Sequence, residues 1–310
     1  MATRDLAIGI ILSLQTIVGI LGNLSVLCFH LFLYLTRCKF RSTDLIIKNL
    51  TIANLLVIFS RGVPQMMACF GLKDFLNDFA CRHVFYVHRV SRDVSIGTTC
   101  LLSVFQAIMI SPLNSRWAEL KVKAPKYIGT SSIFCWILNM MLNIILPLHM
   151  THKKNNTNFI QKRDYDYCYD ILHGNITPKL YVALILCRNG FCLILMVWAS
   201  GFMVFILHRH KQQVQYIHRK NLSPRSSPES TAMQSILVLV CTFVSLWTLS
   251  SIFHICLAVF NNPSLWLRNT STLIAACFPT VSPYILLSHD ARVSWVCFAW
   301  NGIQNLLNFS

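Results

Sequence analysis

The sequence predicts an all-α membrane protein, a bundle of seven transmembrane helices with its N-terminus outside. Three observations predict it: an apolar composition, seven long apolar runs, and basic residues concentrated in alternate loops. Hydrophobic residues make up 55% of the 310 residues and charged residues 12%, with a mean hydropathy of +0.53. Such a composition is typical of a polytopic membrane protein and not of a soluble domain.

Seven runs are long enough to cross the hydrocarbon core, which takes about 20 mostly apolar residues in a helix. They lie at about 6–34, 44–67, 81–110, 126–150, 179–207, 231–260 and 268–288. The first run is longer than a signal-peptide core and lacks a small-residue cleavage site, so we expect it to remain as the first helix. The chain, 1–310, is then one seven-helix domain, with its second extracellular loop at 149–178, its third intracellular loop at 208–229 and a short cytoplasmic tail at 289–310.

The net charge of +16 follows the loops. Most of the loop charge lies in three short loops. The first contains Arg37, Lys39 and Arg41; the third contains Arg116, Lys121, Lys123 and Lys126; the fifth contains Arg209, Lys211, Arg219, Lys220 and Arg225. The positive-inside rule puts these loops in the cytoplasm and the N-terminus outside. The fourth loop is also basic, but long loops are translocated largely regardless of charge. The predicted partner of this charge is therefore the lipid bilayer and its cytoplasmic face, and not nucleic acid.

Two features support an extracellular fourth loop. The sequons at Asn155 and Asn175 predict N-glycosylation there, although the same tripeptide also occurs inside helices, so unused sequons are the alternative. Of the thirteen cysteines, three are placed to meet an oxidising compartment: Cys69, Cys81 and Cys168. A Cys81–Cys168 disulfide would hold the loop across the mouth of the bundle, with Cys69 as the rival partner.

The stretch HRVSRDVSIGTT, residues 88–99, places charges inside the third helix. At 1.5 Å per residue, His88 lies about 10 Å below Cys81 and Arg92 about 16 Å below it. Residues 88, 92, 95 and 99 share one helical face, which must point into the bundle because a charge facing lipid costs at least about 2.5–3.5 kcal/mol. This face predicts a ligand pocket. The alternative is a structural network in which Arg89 and Asp93 form an intrahelical pair.

Further polar residues lie at a matching depth in other helices. Arg188 and Asn189 are in the fifth run, His254 in the sixth and Arg61 in the second. Arg61 has the alternative of reaching the membrane interface, and His254 that of a hydrogen-bonded packing residue. The basic character suggests an acidic or polar group on the ligand, recognised by Arg92 and Arg188. The candidate ligand-binding residues are His88, Arg89, Arg92, Asp93, Arg188 and His254.

Sequence signatures of enzymes are absent. The chain has no Gly-rich phosphate loop, no His-Glu-x-x-His, no Cys-x-x-Cys and no Gly-x-Ser-x-Gly. We therefore expect no catalysis, no cofactor and no metal site.

Five strings in chain order carry a resemblance over nearly the whole sequence: NLTIANLLVIFSRGVPQMM, FYVHRVSRDVSIGTTCLLSVFQAIMISP, SRWAELKVKAPKYIG, HRHKQQVQYIHRKNLSPRSSPES and ACFPTVSPYILL. They resemble the vomeronasal type-1 receptors, a family of G-protein-coupled pheromone receptors. The resemblance implies a rhodopsin-like architecture, a small pheromone or odorant as ligand, a Gi/Go-class G protein as partner and the plasma membrane as location. The candidate G-protein contacts lie in the second and third intracellular loops: Arg116, Lys121, Arg209, Lys211 and Arg219.

The sequence departs from the patterns it resembles. The third helix ends in Phe105-Gln106-Ala107 where rhodopsin-like receptors have Asp-Arg-Tyr, and Asn54 replaces their sodium-binding Asp. Arg188-Asn189 stands where relatives tend to have Pro-Asp, so a ligand preference inferred from relatives is unsafe. A signalling-dead receptor relic is one alternative function. A transporter is another, which the odd number of helices and the lack of an internal repeat disfavour.

Overall fold

The computed structural model describes residues 3–38, 41–72, 77–111, 118–144, 150–151, 162–164, 169–171, 177–217, 228–259, 265–288, 290 and 292–293. This part of the chain contains seven helices. They are α1 Thr3–Leu35, α2, α3 Asp78–Ile110, α4 Ala118–Asn143, α5 Thr177–Ile217, α6 Pro228–Val259 and α7 Leu265–Ser288. The helix α2 has three successive pieces: α-helical Ser42–Val57, a π-helical turn Ile58–Gly62, and α-helical Val63–Cys69. Below, the outer end of the bundle is the end at which α3 begins, and the inner end is the opposite one.

Five of the described helices contain stretches long and apolar enough to cross a membrane. These are Ala7–Leu35, Ser42–Ala68, Phe79–Ile110, Leu186–Ile206 and Asn269–Ser288, while α6 has a shorter apolar stretch, Leu237–Phe253. Large apolar side chains on α1 and α5, such as Leu14 and Ile194, are exposed, as expected of surfaces that face lipid. The all-helical membrane architecture is therefore confirmed. The count of seven spans and the outside N-terminus stay predictions.

Two helices differ in extent from the sequence prediction. The fourth was expected at 126–150, but α4 runs from Ala118 to Asn143. Glu119 and Lys123 pair four residues apart in its polar first turns, which favours a helix there by about 0.2–0.5 kcal/mol. Continuation past Asn143 would bring the ring of Pro147 against the Asn143 carbonyl. The fifth was expected to end at 207, but α5 continues to Ile217, so the first part of the predicted intracellular loop is helical.

The predicted second extracellular loop contains a small antiparallel sheet that the sequence analysis did not predict. Its strands are β1 Met150–Thr151, β2 Lys162–Asp164 and β3 Tyr169–Ile171, in the order β1-β3-β2. Strands of two or three residues are too short to show an alternating pattern, so no sequence signal marked them. The strand β1 contacts α3, so the sheet packs against the helix bundle.

Buried residues of six described helices, α2 to α7, form the main core, with Ile128 as the contribution of α4. They include Leu50, Ile96, Met203, Leu239 and Phe278 from α2, α3, α5, α6 and α7.

Polar side chains add bonds between the helices at mid-depth. Asn54 of α2 donates to Ser282 Oγ of α7 (2.8 Å) and accepts from Ser95 Oγ of α3 (2.9 Å). Asn23 of α1 donates to the Pro279 carbonyl of α7 (2.8 Å). These bonds satisfy polar groups that would otherwise be costly among apolar helices, and they fix α1, α2, α3 and α7 relative to one another.

Candidate ligand-binding site

The polar face of α3 points into the bundle, as the helical spacing predicted. His88, Ser95 and Thr99 are buried and Arg92 is partly buried. Thr99 Oγ1 bonds back to the Ser95 carbonyl at 2.8 Å, which satisfies its hydroxyl within the helix. This face therefore adjoins protein and internal space, and not lipid.

Asp93 forms an ion pair between helices, and not the intrahelical pair with Arg89 that the sequence offered. Arg188 Nη2 of α5 lies 2.9 Å from Asp93 Oδ1, and Asn143 Nδ2 of α4 donates to Oδ2 at 3.0 Å. Arg188 also donates to its neighbour Asn189 Oδ1, at 2.6 Å from Nη2. These contacts of Asp93 join α3 to α4 and α5. Because Asp93 is 3% exposed, the ion pair is little hydrated.

The ion pair changes the role expected of Arg188. Its charge is neutralised by Asp93 and its side chain is held by Asn189, whereas the sequence analysis made it a ligand contact beside Arg92. The pairing depends on a contact between α3 and α5, residues far apart in the chain, so sequence spacing offered no signal for it.

Two narrow cavities lie on the opposite side of α3. The first, between α1, α2, α3 and α7, is lined by Leu12, Gln15, Thr16, Val57, Ile58, Arg61, Gly62, His88, Thr272, Ala275, Ala276 and Thr280. The second, between α2, α3, α6 and α7, is lined by Val57, Arg92, Ser95, Ile96, Phe243, Leu246, Trp247, Ser250, Ile274, Ala275, Phe278 and Pro279. They share Val57 and Ala275, so they adjoin. His88 and Arg92, one helical turn apart, therefore face different cavities.

Arg61 lies inside the bundle, and not at the membrane interface as one sequence interpretation had it. It is partly buried, lines the first cavity, and donates from Nη2 to Thr272 Oγ1 of α7 at 3.2 Å. The π-helical turn that carries it, Ile58–Gly62, immediately precedes Val63-Pro64. Proline lacks the N–H that would bond four residues back, and a π turn is a common local response. Pro64 was the sequence signal for this geometry.

The α1 and α7 lining of the first cavity was missed by the sequence analysis. Gln15 donates to the Leu273 carbonyl at 3.0 Å, and Thr280 bonds back to the Ala276 carbonyl. These residues lie on otherwise apolar helices without a polar stripe, so their position at a cavity depended on the packing of α1 against α7. A Cβ added at Gly22 would lie 2.8 Å from Tyr284, which shows how closely these helices approach.

Other candidates lie partly or wholly outside the described residues. Cys81 is fully buried and disulfide-bonded, and nine other cysteines among the described side chains are free. Cys168, Asn155, Asn175, Arg116 and Arg219 are outside the described residues, as are the side chains of Cys69, His254 and Lys211. The Cys81–Cys168 pairing thus stays a prediction, as does the use of either sequon.

Two of the candidate G-protein contacts are described at the inner end. Arg209 is exposed on α5, and Lys121 of α4 donates to the Ser111 carbonyl at 3.3 Å. Within the described part of the chain, no group of three or more His, Cys, Asp or Glu is arranged to hold a metal ion.

The sequence model of the vomeronasal organ pheromone receptor family matches residues 6–299. The chain belongs to the vomeronasal type-1 receptor family. It is 54% identical to the human protein named vomeronasal type-1 receptor 4, over 97% of this chain and 99% of that one. It is likewise 54% identical to human vomeronasal type-1 receptor 3, over 94% of each chain. A more distant relative is the zebrafish (Danio rerio) olfactory receptor class A-like protein 1, at 27% identity over 92% and 90% of the two chains.

Membership makes this chain a chemosensory receptor of a multi-pass membrane type, in a family of receptors and not of enzymes. The match covers both the polar face of α3 and the basic residues at the inner end. Receptors of this family have a G protein and small ligands as partners in general.

Proposed function

We propose that the chain is a plasma-membrane receptor that binds small organic pheromones or odorants inside the helix bundle and activates a Gi/Go-class G protein. The observation that carries the proposal is the match to the vomeronasal receptor family over residues 6–299. The structure supports it with polar side chains at two adjoining cavities in the outer half of the bundle.

The proposed mechanism is a shift between two arrangements of the bundle. A ligand favours one arrangement only by its difference in affinity for the two. The helices α3 and α7 both line the two cavities, and each also bonds to Asn54: α3 through Ser95, which lines the second cavity, and α7 through Ser282, just beyond the cavity lining. A ligand that moves these helices therefore acts directly on the polar bonds at mid-depth, and through them on the inner end.

The test is G-protein activation by the full-length receptor in lipid nanodiscs. Nucleotide exchange on a purified Gi-class protein is measured against volatiles, steroids and organic acids, with a Gs-class protein in parallel. We expect a saturable response with the Gi-class protein alone. Charge reversal at Arg209 should reduce the maximal response without changing the concentration that gives half of it, because an exposed inner residue contacts the G protein and not the ligand.

A signalling-dead relic remains the alternative function. The unusual Arg188-Asn189 pair was the sequence feature that favoured it, but Arg188 pairs with the buried Asp93, so the fifth helix is matched to the third. A correctly folded receptor that fails to activate Gi-class, Gs-class and Gq-class proteins across the ligand panel would favour the relic.

A further inference from the structure

The outer half of the bundle carries more positive charge than its helices neutralise. The seven helices contain six acidic residues, and five lie within the first three positions of their helix: Asp5, Asp44, Asp78, Glu119 and Glu229. Asp93 is the exception, and it pairs with Arg188. Arg61, Arg89 and Arg92 form no ion pair with an acidic side chain of the described helices, and the one carboxylate within electrostatic range of Arg92, that of Asp93, is paired with Arg188.

The surroundings of two of these arginines favour the binding of an anion. Arg92 lies within electrostatic range of Arg89 and Arg61, which repel it, and of Asp93, which attracts it but is already paired with Arg188. Within the described part of the chain its guanidinium has no hydrogen bond or ion pair, and the described hydrogen bond of Arg61 goes to the neutral hydroxyl of Thr272. Charges that are buried among apolar helices are usually paired, or they mark a ligand site.

The two cavities place these arginines around one space. Arg61 and His88 line the first, Arg92 lines the second, and Val57 and Ala275 form their common wall. Both cavities are narrow, so they suit a small functional group and a short chain, not a bulky ligand. Away from Arg92 the second is mostly apolar, with Ser95 and Ser250 as hydroxyl-bearing exceptions and these apolar side chains from α3, α6 and α7: Ile96, Phe243, Leu246, Ile274 and Phe278.

We propose that these cavities form a site for a short aliphatic carboxylic acid. Its carboxylate binds Arg92, with the charge of Arg61 adding to the attraction, and its chain lies among the apolar side chains of the second cavity. The planar guanidinium of arginine matches a carboxylate by two parallel hydrogen bonds. This inference rests on the proposed receptor function and names its ligand class. The sequence analysis expected Arg92 and Arg188 to recognise an acidic ligand. In the proposed site the second cation is Arg61, because Asp93 neutralises Arg188.

The test measures binding separately from signalling. The purified full-length receptor in phosphatidylcholine nanodiscs is heated with butanoic, pentanoic or hexanoic acid, or with the matching primary amides, at neutral pH. A ligand that binds the folded state raises Tm with its concentration. We expect the acids to raise Tm saturably and the amides to have little effect. Inorganic phosphate serves as a second anion without an apolar chain.

Substitutions locate the site. Arg92→Gln should raise the acid concentration needed for half of the Tm shift by about tenfold or more, since a charge-assisted bond is lost. Arg61→Gln should also raise the acid concentration needed for half of the Tm shift, but by less, because Arg61 acts on the carboxylate over a longer distance. Arg209→Gln, an exposed residue at the inner end, is the matched control and should keep the full acid-dependent shift.

The outcomes separate this inference from the proposed function. Absence of a Tm shift with acids, equal shifts with amides or phosphate, or an undiminished shift in Arg92→Gln would each overturn the acid site. If neutral volatiles trigger nucleotide exchange while acids have no effect, the receptor function stands and the acid site is wrong. An Arg92-dependent shift without nucleotide exchange on any G protein leaves the acid site intact and contradicts the proposed signalling.

Discussion

Arginines occur in two contrasting surroundings at the two ends of this bundle. At the inner end, Arg292 is enclosed by carboxylates: Nη1 and Nη2 contact the two Asp44 oxygens at 3.0 and 2.7 Å, and Nη2 contacts Asp290 Oδ2 at 2.7 Å. We call Arg292, Asp44 and Asp290 the inner clasp. In the outer half, we call Arg61, Arg89 and Arg92 the outer cluster. The carboxylate at this depth, that of Asp93, is paired with Arg188.

The difference teaches which charges hold the fold and which are available to a ligand. The inner clasp joins the start of α2 to the segment after α7, and His30 of α1 lies 3.7 Å from Asp44. The Arg292 guanidinium also lies 5.8 Å from the Phe29 ring centre, in cation–π range. Every charge in the clasp has an ion-pair partner, whereas no arginine of the outer cluster forms an ion pair within the described helices. Substitution of an arginine should therefore lower the stability of the fold where that arginine has an ion pair, and should change it little in the outer cluster.

The largest effect is expected at the buried pair between α3 and α5. Arg188→Gln should lower the free energy of unfolding by about 3–5 kcal/mol, because Asp93 is left charged and buried with Asn143 as its remaining described partner. Reversible unfolding in mixed detergent micelles measures this. The double variant Asp93→Asn with Arg188→Gln should regain much of the loss, since no unpaired charge remains. A single variant as stable as the wild type would contradict the pair's structural role.

The inner clasp should respond in the same direction but less strongly. Arg292→Gln should cost about 2–3 kcal/mol, because Asp44 keeps His30 and the backbone N–H of Arg41, at 2.9 Å from Oδ2. The same unfolding assay applies. The matched control is Arg209→Gln, whose exposed side chain should change stability by about 0.5 kcal/mol or less. Equal losses in the two variants would mean that the clasp contributes nothing specific.

Acidification should weaken the clasp through Asp290. Burial alone would raise the pKa of Asp290, but hydrogen bonds from Arg292 and its charge outweigh burial and lower that pKa. The pKa of Arg292 is raised in turn, again against the effect of burial, by its bonds to Asp44 and Asp290. A carboxyl whose pKa is lowered by folding stabilises the fold above its unfolded pKa, about 3.9, and this contribution is lost as the pH falls through the lower folded pKa.

The comparison of wild type with Asp290→Asn tests this sign. We expect the wild type to be more stable by about 1 kcal/mol at neutral pH, with the difference unchanged down to about pH 4 and shrinking below it. Unfolding curves at a series of pH values measure it. A difference that grows on acidification would show that the carboxylate does not stabilise the folded clasp.

The smallest effect on stability is expected in the outer cluster. Arg92→Gln should leave the free energy of unfolding within about 0.5 kcal/mol of the wild type, because it removes repulsion from Arg89 and Arg61 together with attraction to Asp93, and breaks no described bond. The assay is again reversible unfolding, in the absence of acids. A loss as large as that of Arg188→Gln would show that Arg92 has a structural partner, and the contrast between the two ends would fail.

The helices and the inward face of α3 could be predicted from the sequence, because both follow from local patterns of apolar and polar residues along the chain. His88, Ser95 and Thr99 are buried as their spacing required. The sequence did not predict the pairing of Asp93, for which Arg89 was the nearest choice along the chain and Arg188 the actual partner. Nor did it place Arg61 in a cavity, because that depended on the approach of α7, whose Thr272 bonds its guanidinium.

The sequence by itself determined that this chain is an apolar helical receptor, since composition, run length and family motifs are properties of residues in order. It also determined which helix face carries charge, since a helix repeats every 3.6 residues. The tertiary structure alone decided which charges neutralise one another, since Asp93 and Arg188 are brought together by the packing of α3 against α5, and Asp44 and Arg292 by the return of the chain after α7. Electrostatic energy depends on distance in space, so the available charge of Arg61 and Arg92 is visible only after those pairs have formed.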